Sequence, residues 1–127
     1  MSLVTLSPDL VEALHDAILN PAELRGRAGD KSLEGALARV DNRLSYGMIN
    51  DAFDLAAAYV VAIAQGHCFN DGNKRTAHQA MDTCLDLNGV HLTYDTAETG
   101  QTIIRAAQGK LGEQDLAEWL RGLAAKG

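Results

Sequence analysis

Apolar residues in this chain recur three and four positions apart, the spacing that gives a helix one buried face. Ser7-Pro8 predicts the first helix start, with Ser7 as N-cap and Pro8 at the first helical position, where its missing N–H costs nothing. Leu10, Val11, Leu14, Ala17 and Ile18 share its inner face, and Asn20-Pro21 ends it. The stretch Arg25-Gly26-Arg27-Ala28-Gly29-Asp30 has no periodic apolar face and reads as a mobile loop or short flap. Ser32 caps a second helix carrying Leu33, Ala36, Leu37 and Val40. Beyond a turn near Gly47, Asp51 starts a third, whose Leu55, Ala56, Tyr59, Val60 and Ile63 form a strong apolar stripe, and Gly66 stops it. After a short loop from His67 to Gly72, a fourth helix begins near Asn73 and carries Ala77, Ala80, Met81, Cys84 and Leu85 to Asn88-Gly89. Val90 to Tyr94 is extended and too short to build a sheet alone. A fifth helix is expected over about Thr96 to Gln108, with Ile103, Ile104 and Ala107 inward. The sixth runs from about Glu113 to Leu123, with Leu116, Trp119, Leu120 and Leu123 as its buried side. The expected fold is all-α: a compact bundle of about six helices with a short flap.

Composition supports that class. Ala and Leu contribute 37 residues against 18 for Val, Ile and Thr, and the first pair loses little side-chain freedom in a helix. A length of 127 residues fits one domain, residues 1–127, which on folding removes about two-thirds of its unfolded surface from water. No apolar run approaches the ~20 residues of a membrane span, and Met1-Ser2-Leu3-Val4-Thr5 lacks the basic-then-apolar pattern of a secretory leader. Cys68 and Cys84, without metal-ligand spacing, read as reduced thiols of a cytoplasmic protein. The net charge of −6 repels phosphate backbones and argues against direct nucleic-acid binding. It leaves room for a small local cluster of positive charge.

That cluster lies in His67-Cys68-Phe69-Asn70-Asp71-Gly72-Asn73-Lys74-Arg75, between two helices that fix both ends of the loop. Gly72 permits a tight turn and close backbone approach to a ligand. Asn73, Lys74 and Arg75 open the fourth helix, where unpaired N–H groups and the positive end of the helix dipole favour an anion. Lys74 and Arg75 add formal charge and directed donors, so the segment reads as a phosphate cradle. Asp71 is a hard oxygen ligand at its edge, suited to Mg²⁺ shared with substrate phosphates. His67 is the residue here whose ordinary pKa, about 6.5, suits a general base. Phe69, flanked by polar residues, turns inward and anchors the loop.

Each of these residues also has a plainer reading. His67 alone is an ordinary loop histidine, Asp71 a helix cap, and Lys74 with Arg75 a solvated surface pair. Cys68 is either a redox-active thiol or a space-filler, and Cys84 belongs to the core. His78 and His91 have structural roles. His15 and Asp16 are expected on a helix surface near the flap, bracing it. Arg25, Arg27 and Asp30 either contact a target or nucleotide or belong to a solvated loop. A metal hydrolase built on His67, Asp71 and His78 lacks a recognised ligand spacing.

The loop resembles the signature of the Fic/Doc family, His-x-Phe-x-(Asp/Glu)-Gly-Asn-(Gly/Lys)-Arg, and Leu14-His15-Asp16, the Gly-rich flap, Leu33 to Arg39 and Phe53-Asp54-Leu55-Ala56-Ala57 stand in family order. Length and Lys74 bring it closest to the Doc, or death-on-curing, toxin branch. The resemblance implies a toxin-like protein kinase of a toxin–antitoxin system, transferring the γ-phosphate of ATP to a Thr or Ser hydroxyl of a translation factor, elongation factor Tu, and so blocking translation. It implies that His67 takes the hydroxyl proton and Asp71 holds Mg²⁺. It also implies that Gly72, Asn73, Lys74 and Arg75 bind the nucleotide's phosphates, and that a Phd-like antitoxin is the partner. The alternatives are AMP transfer of the Fic type and a catalytically weak antitoxin-binding module. Departures from the family pattern are Cys68 in place of Pro, Gln65 where a phosphate-binding Arg is expected, and His78 where AMP-transferring members carry a second Arg. The inhibitory Ser/Thr-x-x-x-Glu-Gly/Asn motif does not occur in the sequence.

Overall fold

The computed structural model describes residues 2–126 and is built from six helices: α1 (Pro8–Ile18), α2 (Leu33–Ser45), α3 (Ala52–Gly66), α4 (Asn73–Leu87), α5 (Thr96–Ala107) and α6 (Glu113–Lys126). Among the described residues there is no strand, only an isolated antiparallel bridge between Arg27 and Phe69. None of the helices is long and apolar enough to cross a membrane.

The core is organised around α3, which packs against α2, α4, α5 and α6. Leu55 to Val60, Ile63 and Ala64 are all buried, so this helix is apolar on nearly every side. Its run Ala56-Ala57-Ala58 lets neighbouring helices approach closely. Side-chain caps close most helix starts: Ser7 accepts from Leu10 N (3.1 Å), Ser32 from Gly35 N (2.9 Å), Asp51 from Asp54 N (2.9 Å) and Asp95 from Glu98 N (2.8 Å). The N-terminal segment is tied down by Tyr59, whose hydroxyl accepts from Leu6 N at 2.8 Å, and burial pushes that hydroxyl up to about 12.

Buried positions on α2 are Leu33, Ala36, Leu37 and Val40, the set expected from spacing. Other expectations need correction. On α1 the fully buried residues are Val11 and His15, whereas Ala17 is exposed. The inner side of α5 is rotated by about one position, to Thr99, Ile103 and Ala106. Trp119 on α6 is half-buried because its indole N–H reaches out to Glu98 (2.7 Å).

Gly66 does not end α3 as the C′ glycine. It is the last helical residue, and His67 takes the left-handed cap position at φ 48°, ψ 42°. The Cys68 thiol explains the glycine: a Cβ on residue 66 would stand 3.1 Å from the Cys68 sulfur. Small size is needed at 66, and the backbone reversal falls on 67.

The flap is not a free loop. Ala28 N donates to Cys68 O (2.8 Å) and Asn70 N to Gly26 O (3.1 Å), so residues 26–28 are stitched to the 67–70 segment by strand-like bonds. Arg27 bonds Glu12 of α1 and Glu34 of α2 at 2.5 Å each, tying the flap to both helices.

Candidate functional site

Two helix ends meet at one cleft. The C-terminal cap of α3 presents His67, and the start of α4 presents Gly72 to Arg75. A cleft of about 320 Å³ is lined by Glu23, Ala64, His67, Asn70, Asp71, Gly72, Asn73, Lys74 and Arg75. The structure therefore brings together all six singled-out positions: His67, Asp71, Gly72, Asn73, Lys74 and Arg75.

His67 is exposed, and its ring makes no hydrogen bond among the described residues. The left-handed cap that holds it is uncommon for a residue with a side chain, though histidine tolerates it better than most. Such backbone positions cluster at sites where a side chain must be aimed.

The start of α4 has no side-chain cap, no acidic residue in its first turn, and Gly72 at φ 79° as N-cap. No protein acceptor takes the backbone N–H of Asn73, Lys74 or Arg75 among the described residues. Lys74 is exposed, with no salt bridge among those residues. An uncapped positive helix end carrying two cations is unfavourable for a helix standing alone and favourable once an anion sits on it.

The Asn73 side chain is engaged within the loop. Its amide donates to Phe69 O (2.9 Å) and its carbonyl accepts from Phe69 N (3.1 Å), closing the loop upon itself. What residue 73 offers an anion is its backbone N–H. Asp71 does not cap α4 either: its Oδ2 accepts from Leu24 N at 2.7 Å. The second oxygen, Oδ1, has no hydrogen-bond partner among the described residues.

No group of three or more His, Cys, Asp or Glu side chains gathers to hold a metal among the described residues. A single free carboxylate oxygen beside a phosphate cradle fits Mg²⁺, which is held by one or two carboxylates with substrate phosphates completing the shell. The hydrolase trio does not form, because His78 sits edge-on to Tyr94, 5.6 Å between centroids.

Glu23 and His15 are the residues that sequence reasoning missed here. Glu23 forms an ion pair with Arg75, and that cation holds the Glu23 carboxyl below the usual carboxylate range. A protein carboxylate thus occupies one of the two phosphate-ready cations. His15 is not on the surface: it is fully buried and stacks on Phe69, 3.9 Å between ring centroids at 7°. Its Nε2 donates to the Asp71 carbonyl at 2.7 Å.

Cys68 is buried, and burial pushes its thiol upward, away from thiolate reactivity, so it serves as filling beside Gly66. Gln65 donates to Ala106 O at 2.9 Å, bracing α3 against the end of α5, and does not line the cleft. Arg27 is spent on Glu12 and Glu34.

The family model described as Fic/DOC family matches residues 5–85. The chain belongs to the Fic/DOC family. The Fic/DOC match covers α1 to α3 and all but the last two residues of α4, so the whole cleft lies within it. Protein kinase doc of Escherichia phage P1 is 39% identical over 119 residues, 93% of this chain and 94% of that one. Toxin Doc of Mycolicibacterium smegmatis is 43% identical over 67 residues, 50% of this chain and 49% of that protein. The fold found here, helices throughout with a stitched flap, is the all-α architecture expected of a Fic/DOC protein.

Proposed function

We propose that the chain is one Fic/Doc-type domain, residues 1–127, acting as a toxin-like protein kinase. Its substrates on this reading are ATP and a Thr or Ser hydroxyl of a translation factor, with elongation factor Tu the target by resemblance. The similarity to a protein kinase and to a toxin supports the class. The observation that carries the reading is the pairing, in one cleft, of an unbonded His67 with the uncapped, cationic start of α4.

The nucleotide's phosphates lodge against the backbone N–H groups of residues 73–75 and the side chains of Lys74 and Arg75, which neutralise oxygen charge. Gly72 keeps this approach open. Asp71, through Oδ1, holds Mg²⁺, which when bound adds positive charge against the phosphate oxygens. His67 takes the proton of the incoming hydroxyl as its oxygen bonds to the γ-phosphorus. The bond from that phosphorus to the bridging oxygen breaks, and ADP leaves. Little more is required, because phosphoryl transfer depends mainly on positioning and charge stabilisation. The partner is a Phd-like antitoxin, and the setting is the cytoplasm.

The test is transfer of label from γ-marked ATP to elongation factor Tu in the presence of Mg²⁺, lost in His67→Ala. Label arriving only from α-marked ATP identifies AMP transfer instead. Growth arrest on expression that persists unchanged in His67→Ala identifies a binding module.

A further inference from the structure

The inner face of α1 carries one polar side chain, His15, with no exposed surface. Burying an imidazole costs free energy unless its nitrogens are satisfied, and a leucine would fill the space more cheaply. On its far side this ring meets the loop that carries the candidate site. Its Nε2 donates to the Asp71 carbonyl at 2.7 Å. Its face lies nearly parallel on Phe69. A Cβ on Gly72 would stand 3.6 Å from its Cδ2. On its own helix, Nδ1 faces Asp16 Oδ1 at 3.1 Å, a carboxylate about half exposed.

One ring from α1 therefore touches residues 69 and 71 together and lies beside Gly72. The carbonyl bond fixes the peptide plane that follows the Asp71 Cα, and with it the direction in which the carboxylate leaves the backbone. The carboxylate is held separately, through Oδ2, by Leu24 N. Backbone and side chain are thus pinned from two sides, and Oδ1 is left free. An apolar residue at position 15 fills volume but does not set that plane.

We propose that His15 is a positioning residue for Asp71: its hydrogen bond to the Asp71 carbonyl and its stack on Phe69 aim the Asp71 carboxylate for binding of a divalent cation with a nucleoside triphosphate. The proposal rests on the reading that the cleft takes magnesium-bound nucleotide. It assigns a function to a residue that touches neither. Outer-shell partners that orient a metal ligand typically change metal affinity by about 10–100-fold when removed.

The test is calorimetric titration of the whole chain with ATP over a range of Mg²⁺ concentrations, beside inorganic triphosphate without Mg²⁺. The second probe reports the α4 cradle alone. His15→Phe keeps a stacking ring and loses the donor. It is expected to raise the half-saturating Mg²⁺ concentration about tenfold while leaving triphosphate affinity within about twofold. His15→Gln, whose amide replaces the Nε2 donor, is expected to restore most of the Mg²⁺ dependence. His15→Leu, which fills the space without donor or ring, is expected to raise the Mg²⁺ requirement about tenfold and carries the test should the Phe variant fail to fold. Unchanged Mg²⁺ dependence in the Phe variant overturns the proposal, as does a parallel loss of both probes, which marks a merely structural role. If the Phe variant fails to fold, unchanged Mg²⁺ dependence in His15→Leu overturns it. Wild-type protein that binds triphosphate with no Mg²⁺ dependence of ATP binding overturns it too, and leaves the cradle standing. Wild-type protein that binds neither probe overturns the parent reading as well.

Discussion

Helices α3 and α4 begin in opposite ways. At the start of α3, Asp51 caps the Asp54 N–H, Asp54 accepts from Asn50 N at 3.1 Å, and Arg121 from α6 bonds both carboxylates. Every charge there has a partner within the protein, and acidic groups sit where the helix dipole favours them. At the start of α4 the cap is a glycine, the first turn holds two cations, and the leading N–H groups have no protein acceptor among the described residues. The first helix start is finished by the chain itself; the second is left open among the described residues. Local stability given up at one position in a well-built fold is a physical signal of function.

The largest effect that sharpens this contrast belongs to His67. Replacing it in His67→Gly is expected to lower phosphoryl transfer on the order of 10²–10⁴-fold, measured as initial rate. The melting temperature is expected not to fall, since glycine relieves the left-handed backbone while adding its own entropy cost. Next is Arg75→Ala, expected to weaken ATP binding about 10–100-fold in a calorimetric titration, the worth of a charge-assisted contact. The matching change at the other helix start is Asp51→Ala. It is expected to cost about 0.5–2 kcal/mol of stability in denaturant unfolding and to leave ATP affinity unchanged. A loss of nucleotide binding in Asp51→Ala would break the comparison. The smallest effect is expected from Glu23→Gln, which frees Arg75 and tightens ATP binding about two- to fivefold in the same titration.

How much of this was legible in the sequence depends on whether the cause is local. The start and buried face of α2 were legible because Ser32 and the spacing of Leu33, Ala36, Leu37 and Val40 act within one element. The cleft residues from His67 to Arg75 were found because they are contiguous and lie between two predictable helices. The backbone reversal at His67 was misplaced by one residue: Gly66 carries the usual stop signal, yet its smallness serves the Cys68 sulfur. His15 was read as surface because a histidine beside an aspartate on an amphipathic helix carries no mark of burial. The partner that explains it, Asp71, is 56 positions away. The ion pair of Glu23 with Arg75 is equally non-local. The flap read as mobile because its order comes from backbone bonds to Cys68 and Asn70, and backbone groups leave no side-chain signature. The closure of the Asn73 side chain on Phe69 left no mark for a related reason: an amide near a loop bonds backbone as readily as ligand.

The central claim is that the open start of α4 receives the phosphates within reach of His67. A crystal of the chain soaked with Mg²⁺ and a non-hydrolysable ATP analogue tests it most directly. The predicted result is a terminal phosphate on the N–H groups of residues 73–75, with Glu23 displaced from Arg75 and the His67 ring facing the phosphate. Nucleotide bound elsewhere, with the Glu23 to Arg75 ion pair intact and the imidazole turned away, would contradict it.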